Sequence, residues 1–106
     1  MKFLATVHTP MYDHNDKKYL RLVIPEKCAE FVRRRHTREV RENPLEGRIL
    51  TVKVPFRYRR VMCRVDGEPV QALTIGSEVE VEVEFAGIWN VGNYSGYSWK
   101  LVSIKS

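Results

Sequence analysis

The sequence predicts a mainly β protein, a small closed or partly open β-barrel with one amphipathic basic helix. Short apolar runs with a period of two recur along the chain, and turn signals such as Asp66-Gly67 separate them. Residues 78–85 alternate without a break between Glu on one face and Val or Phe on the other. Only residues 26–42 have helical periodicity. Because six or seven Val-rich strands would leave exposed edges in an open sheet, we expect the sheet to close.

The chain of 106 residues is expected to form one domain, residues 1–106, because so short a chain cannot build two hydrophobic cores. No apolar run approaches the length of a membrane span, and the apolar start of the chain is too short for a signal-peptide core. We therefore expect a cytoplasmic protein with no membrane partner. Cys28 and Cys63 are expected to be buried free thiols, although a disulfide between them stays open.

Strands are expected on both sides of the helix in the chain. Residues 2–8 and 19–24 alternate and could form a hairpin joined by a polar loop over residues 9–18. After the helix, strands are predicted over residues 48–54, 57–65, 70–73, 78–85 and 97–104. A glycine-rich loop over residues 86–96 is expected to join the last two. Their inward faces would supply aliphatic side chains to a single core.

The predicted helix begins after Pro25, a residue tolerated at a helix start, and ends at Asn43-Pro44. Its apolar face would be formed by Cys28, Ala29, Val32, His36 and Val40. Arg34, Arg38 and Arg41 recur at i, i+4 and i+7 and would fall together on the opposite face. The helix is therefore expected to pack on one side and to present an arginine stripe on the other.

The net charge is +5, and the basic and acidic residues are concentrated in different parts of the chain. Residues 33–64 contain eleven Arg or Lys against three Glu, a balance of +8, and all but one of these basic residues are arginine. Residues 65–84 contain six acidic residues and no basic one. Arginine binds phosphate bidentately and stacks on bases, so a nucleic acid is the expected partner. The alternative is a basic surface that is merely solvated.

Aromatic and basic residues alternate over residues 56–64. A strand here would turn Val61, Cys63 and Val65 inward, and its outer face would then present Phe56, Tyr58, Arg60, Met62 and Arg64. In single-strand grooves, cations bind phosphates and rings stack on bases, at about 1–3 kcal/mol for each stack. The basic residues expected to extend this track are Arg48, Lys53 and Arg57. The alternative places Phe56 and Tyr58 in the core.

Residues 87–99 combine four aromatic residues with three glycines. Glycine lets a ligand approach the backbone closely. Trp89 and Tyr94 are flanked by polar loop residues and are therefore candidates for stacking on bases. Tyr97 could stack or be buried, whereas Trp99 is in phase with Leu101 and is expected in the core. The alternative is a hairpin loop closed by its own aromatic residues.

No catalytic motif is recognisable, since the sequence has no Gly-rich phosphate loop and no GxSxG. We therefore expect a protein that is not an enzyme and that uses no cofactor and no metal. A group of His and Asp in the polar loop could still bind a divalent ion, which keeps a metal-dependent nuclease as an alternative: His8, Asp13, His14 and Asp16. The four glutamates of residues 78–84 are interpreted as a solvated strand face.

The C-terminal third resembles a known family. Residues 75–81, Ile-Gly-Ser-Glu-Val-Glu-Val, precede a Gly/aromatic loop and then residues 96–104, Gly-Tyr-Ser-Trp-Lys-Leu-Val-Ser-Ile. This arrangement resembles the end of the small OB-fold single-stranded DNA-binding proteins of phages and other viruses. The resemblance covers roughly 30 residues. It implies an OB barrel that coats single strands during replication or recombination, in the host cytoplasm or nucleus if the source is viral.

These observations together predict non-catalytic binding of single-stranded nucleic acid, DNA before RNA, largely without sequence preference. A homodimer or a cooperative assembly along the strand is compatible with such a role. An RNA-binding protein is one alternative. A second, from a different class, is a small protein–protein module whose basic face docks an acidic partner, such as a viral inhibitor or regulator of a host nucleic-acid enzyme.

Overall fold

Nine strands and one helix make up the computed structural model, which describes residues 1–106. In chain order they are β1 (Lys2–His14), β2 (Lys17–Val23), α1 (Glu26–Arg35), β3 (Leu45–Glu46), β4 (Ile49–Val54), β5 (Phe56–Arg57), β6 (Arg60–Val61), β7 (Arg64–Asp66), β8 (Glu78–Val91) and β9 (Tyr94–Lys105). A short 3-10 turn, Val70–Ala72, lies between β7 and β8. The prediction of a mainly β protein with one helix is confirmed.

Hydrogen bonds run in a ring through five strands, in the order β1, β2, β4, β9, β8 and back to β1. Four of these pairings are antiparallel, and the fifth is a parallel contact between β4 and β9 at Lys53 and Lys100. β3 and β7 are short strands at the margins, and β5 and β6 form a separate two-stranded hairpin. The expected closure of the sheet is therefore present as a ring of hydrogen bonds.

The core lies inside this ring and follows the alternation of the sequence. Val79, Val81 and Val83 of β8 are buried, while the glutamates between them point outward. β2 and β4 supply the matching inward residues: Leu20, Leu22, Leu50, Val52 and Val54. Burying one such side chain is worth about 1.5–3 kcal/mol, which explains why the register of these strands is unambiguous.

The polar loop expected at residues 9–18 is instead the tip of the β1–β2 hairpin. Pairing continues to His14 and Lys17, and only Asn15 and Asp16 form the turn. Both turn residues have a positive φ, 51° and 64°, as a tight two-residue hairpin turn requires. Residues 13–17 of the tip are exposed, so neither face of this outer part needs the apolar alternation by which a strand is recognised in a sequence.

The β8–β9 hairpin is also longer than predicted, because its outer part does not show a simple apolar alternation in the sequence. Residues 86–91 continue β8, and β9 begins at Tyr94 after the two-residue turn Gly92-Asn93. The expected loop over residues 86–96 was therefore wrong. The strand predicted at residues 70–73 was also wrong, because that segment forms the 3-10 turn and buries Val70 and Leu73 against the core.

α1 ends at Arg35, seven residues before the predicted end. Pro25 precedes its first turn as expected, and Ala29 and Val32 are buried. Residues 36–44, called the strap below, leave the helix direction and run across β9. The predicted arginine stripe is therefore wrong: Arg34 lies on α1, whereas Arg38 and Arg41 lie on the strap.

The single strand predicted over residues 57–65 is broken into the β5–β6 hairpin and β7. Tyr58 and Arg59 form the hairpin turn, with φ of 53° and 64°. Val61, Cys63 and Val65 do pack against the core, as predicted for the inward face. The predicted outer face, in which Tyr58 shares a strand with Arg60 and Arg64, does not exist because the chain reverses at Tyr58.

Candidate functional site

An open groove of about 560 Å³ lies between the two long hairpins. One wall is the tip of the β1–β2 hairpin and the other is the outer half of the β8–β9 hairpin. β4 and the end of the strap complete the lining between them. Five aromatic side chains line the groove: Tyr12, Tyr19, Trp89, Tyr97 and Trp99.

The first wall is built by cross-strand pairs. Tyr12 lies directly opposite Tyr19, and His14 lies opposite Lys17, so all four side chains share one face of the hairpin. The rings of Tyr12 and Tyr19 are 5.9 Å apart between centroids and tilted by 32°. His14 approaches the Tyr19 ring edge-on at 6.2 Å. The result is a half-buried aromatic surface with a lysine beside it.

Lys53 continues this surface onto β4, where it pairs with Tyr19. Burial and the nearby ammonium group of Lys17 lower the pKa of Lys53. Burial, Tyr12 and Glu42 raise the pKa of the Tyr19 hydroxyl. An anion bound beside the two phenol rings would relieve the repulsion between Lys17 and Lys53.

The second wall depends on a glycine. Trp89 of β8 pairs with Gly96 of β9, and a Cβ atom on Gly96 would lie 2.6 Å from the Trp89 ring. The indole therefore lies against bare backbone, which only glycine permits. Tyr97 and Trp99 follow on β9 and are buried, 6% and 2% exposed.

The strap joins the two walls. The backbone N–H of Glu42 donates to the carbonyl of Ser95 at 2.9 Å, and that of Thr51 donates to the carbonyl of Pro44 at 2.8 Å. The side-chain oxygen of Asn43 accepts from the backbone N–H of Leu45 at 2.9 Å. The strap is thereby attached to β9 at one end and to β4 at the other, so the end of the strap has a defined position in the groove.

Three residues that were predicted as nucleic-acid contacts line the groove: Lys53, Trp89 and Tyr97. Tyr97 offers little surface for stacking on a base. Its hydroxyl is bonded to the backbone of Arg38, and the His36 ring is stacked on it at 4.1 Å with an interplanar angle of 3°. Tyr97 was expected either to stack on a base or to be buried, and it is buried.

Four other predicted contacts, Phe56, Arg57, Tyr58 and Arg60, lie together on the β5–β6 hairpin. Arg57 faces Arg60 across the hairpin, and Tyr58 at the turn is 79% exposed. Phe56 packs beneath the ammonium group of Lys18, which is 4.9 Å from the ring centroid. This hairpin, called the basic hairpin below, begins three residues after Lys53 along the chain.

The remaining predicted basic contacts are dispersed. Arg41 stacks its guanidinium over the Tyr94 ring, 4.8 Å from the centroid, near the tip of the β8–β9 hairpin. Arg48 donates to the carbonyl of Ile24 at 2.8 Å, and Arg64 pairs with Asp66 at 3.4 Å. Arg34 and Arg38 are exposed on α1 and the strap. These residues do not form one continuous stripe.

Several groove residues were not predicted from the sequence as nucleic-acid contacts: Tyr12, His14, Lys17, Tyr19 and Glu42. The first four lay in or beside the segment interpreted as a polar loop. A signal was present, since Tyr12 and His14 are two residues apart, as are Lys17 and Tyr19, and a two-residue turn between them would place all four on one face. Glu42 had no comparable signal, because it was assigned to a helix.

No three His, Cys, Asp or Glu side chains come together in a way that could hold a metal ion. Of the residues considered for a metal site, Asp13 is ion-paired with Lys18, and the His8 ring is bonded to Thr9. Both cysteines are free and only half-buried, and burial raises the pKa of each thiol.

Comparison with protein-family models, curated proteins and solved structures found no match to this chain. None of its helices combines the length and the apolar character needed to cross a membrane.

Proposed function

We propose that this protein binds single-stranded nucleic acid, DNA before RNA, in the groove between its two long hairpins, without catalysis and largely without sequence preference. One observation carries the proposal: Tyr12, Tyr19 and Trp89 line a groove that also holds two close lysines. Rings stack on bases of any identity and lysines bind phosphates, so this combination suits a single strand.

The strand order supports an OB-like barrel as the finer description of the fold. If β1, β2, β4, β8 and β9 are counted as its five strands, the ring runs first, second, third, fifth, fourth. OB folds bind oligonucleotides on the face of their second and third strands, between the connections from first to second and from fourth to fifth. The groove occupies this position, although α1 lies between the second and third strands rather than after the third.

The basic residues outside the groove support a longer path for the strand. At one end, the basic hairpin follows directly on from β4, and it presents Arg57, Arg59 and Arg60 to solvent. At the other end, the Arg41–Tyr94 pair lies near the tip of the β8–β9 hairpin, and Tyr94 is half-exposed. A strand that leaves the groove at either end would meet a cation beside an aromatic ring.

A fluorescence titration with oligo-dT, oligo-rU and duplex DNA tests the proposal. Binding of either single strand should quench the emission of Trp89, and duplex DNA should bind more weakly. Tyr12→Ala and Tyr19→Ala should each weaken binding of oligo-dT about ten-fold. Phe31→Ala removes an exposed ring from α1, outside the groove, and should leave the affinity unchanged. Melting curves of each variant identify any loss that arises from unfolding.

The salt dependence separates phosphate binding from other contacts. The logarithm of the affinity should fall linearly with the logarithm of the salt concentration, with a slope of about −0.7 per phosphate neutralised. Lys17→Gln and Lys53→Gln should each make the slope shallower by roughly one contact, whereas Lys27→Gln on α1 should not. An affinity that does not depend on salt, or equal binding by all these variants, would contradict the proposal and favour a module that docks a protein.

A further inference from the structure

Glu42 is the one acidic side chain that lines the groove. Its carboxylate takes part in none of the ion pairs of the protein and in no side-chain hydrogen bond. A carboxylate beside a bound polyanion weakens binding through repulsion, unless it receives hydrogen bonds from the ligand in return. Glu42 is exposed at the groove, so its carboxylate is free to receive hydrogen bonds from a ligand.

The structure holds Glu42 in place through its backbone. Its N–H is bonded to Ser95, and the residue forms a parallel bridge with Gly96, the glycine under the Trp89 ring. The carboxylate acts across the groove, since it contributes to the raised pKa of Tyr19 on the opposite wall. It is nevertheless not paired with Lys17 or Lys53, although both line the same groove. The groove thus has a cationic side and a separate acceptor on the strap.

We propose that Glu42 accepts hydrogen bonds from the Watson–Crick edge of a guanine, and that one nucleotide position of the groove therefore prefers guanine. This inference rests on the proposed function. A strand whose phosphates lie on the lysine side and whose bases stack on the tyrosines and Trp89 would direct one base edge toward the strap.

The chemistry of the four bases determines the preference. An ionised carboxylate has only acceptors, and its two oxygens suit two adjacent donors. Guanine presents two, N1–H and the N2 amino group, side by side. Adenine and cytosine each present one amino donor beside an acceptor nitrogen, and thymine and uracil present one N–H between two carbonyl oxygens. Only guanine satisfies both oxygens of Glu42 without placing an acceptor against them.

The test compares oligo-dT with the same oligonucleotide that contains one central dG or one deoxyinosine. Deoxyinosine keeps N1–H but lacks the amino group. We expect the dG oligonucleotide to bind about ten-fold more tightly than oligo-dT, with deoxyinosine between them. Glu42→Ala, which removes both acceptor oxygens, should abolish this difference and leave oligo-dT binding equal or tighter. Glu39→Ala, at an exposed strap residue outside the groove, should behave as the unmodified protein.

The outcomes separate this inference from the function on which it rests. If the protein binds oligo-dT in a manner sensitive to Tyr12→Ala but does not prefer dG, the role of Glu42 is overturned. Binding of single strands in the groove is then supported without it. The same holds if the preference for dG survives Glu42→Ala. If no oligonucleotide binds, both proposals are overturned.

Discussion

The indole N–H of Trp99 donates a hydrogen bond of 3.0 Å to Nε2 of His36. Because Nε2 must accept this bond, the imidazole is neutral and carries its proton on Nδ1. The same ring stacks on Tyr97, so the first residue of the strap is anchored among aromatic side chains of β9. α1 ends next to this contact, and the strap begins its course across the sheet there.

Acid is expected to weaken this anchor. Burial lowers the pKa of His36 below its ordinary value of 6.5, and the side chains that face the ring are those of Phe85, Tyr97 and Trp99. The unfolded chain therefore takes up the proton first as the pH falls. The contribution of His36 to stability should be complete above pH 6.5 and should decline from there toward its lower pKa in the folded protein.

Melting temperatures between pH 7.5 and 5 check this expectation. His36→Gln keeps an acceptor for the Trp99 indole but does not titrate, so its melting temperature should depend less steeply on pH. His8 and His14 are present in both proteins, and their contributions cancel in the comparison. Parallel pH profiles for the two proteins would show that His36 does not link stability to pH.

The acidic face of β8 is expected to be dispensable for binding. Its glutamates alternate with the buried valines and lie opposite lysines of the neighbouring strands: Glu82 opposite Lys2, Glu80 opposite Lys105 and Glu84 opposite Lys100. They precede the part of β8 that borders the groove. Glu80→Gln with Glu82→Gln should leave the affinity for single strands equal or higher, because repulsion of phosphate falls. Stability should fall by about 0.2–1 kcal/mol for each cross-strand pair lost.

An affinity titration and a melting curve on this double variant check both expectations. A large loss of affinity with an unchanged melting temperature would instead place a ligand or partner contact on the acidic face of β8.

The turn of the basic hairpin is expected to be strained. Tyr58 and Arg59 both occupy the left-handed region, where tight hairpin turns usually carry Asn or Gly. Each such residue costs of order 1 kcal/mol. Arg59→Gly should therefore stabilise the protein by about 1 kcal/mol, measured by urea unfolding.

Arg57→Gly is the matched control, because it removes the same charge from an extended position of the same hairpin. It should lower the stability by about 0.5–1 kcal/mol, since glycine loses more freedom on folding. If the two variants change stability equally, the turn is not strained. If Arg59→Gly also weakens binding of single strands, Arg59 contacts the bound strand from the turn of the basic hairpin.

Local patterns of the sequence determined the strands of the core. Val79, Val81 and Val83 are inward because a period of two can place them nowhere else once one face of the strand is buried. The start of α1 was predictable from Pro25, because proline is tolerated at the start of a helix. The inward face of Val61, Cys63 and Val65 was predictable from their spacing of two residues. Among the groove residues, Lys53 and Trp89 could be selected because a cation or an exposed ring in a β segment is visible in the sequence itself.

The tertiary structure decided where these elements end and which of them meet. The helical pattern continues to Val40, yet α1 ends at Arg35 because His36 and Arg38 bond to β9, which is about 60 residues further along the chain. The groove is assembled from β1, β2, the strap, β4, β8 and β9, and no local pattern brings Glu42 opposite Tyr19. Local periodicity records which face of an element is buried, whereas hydrogen bonds between distant segments determine its length and its neighbours.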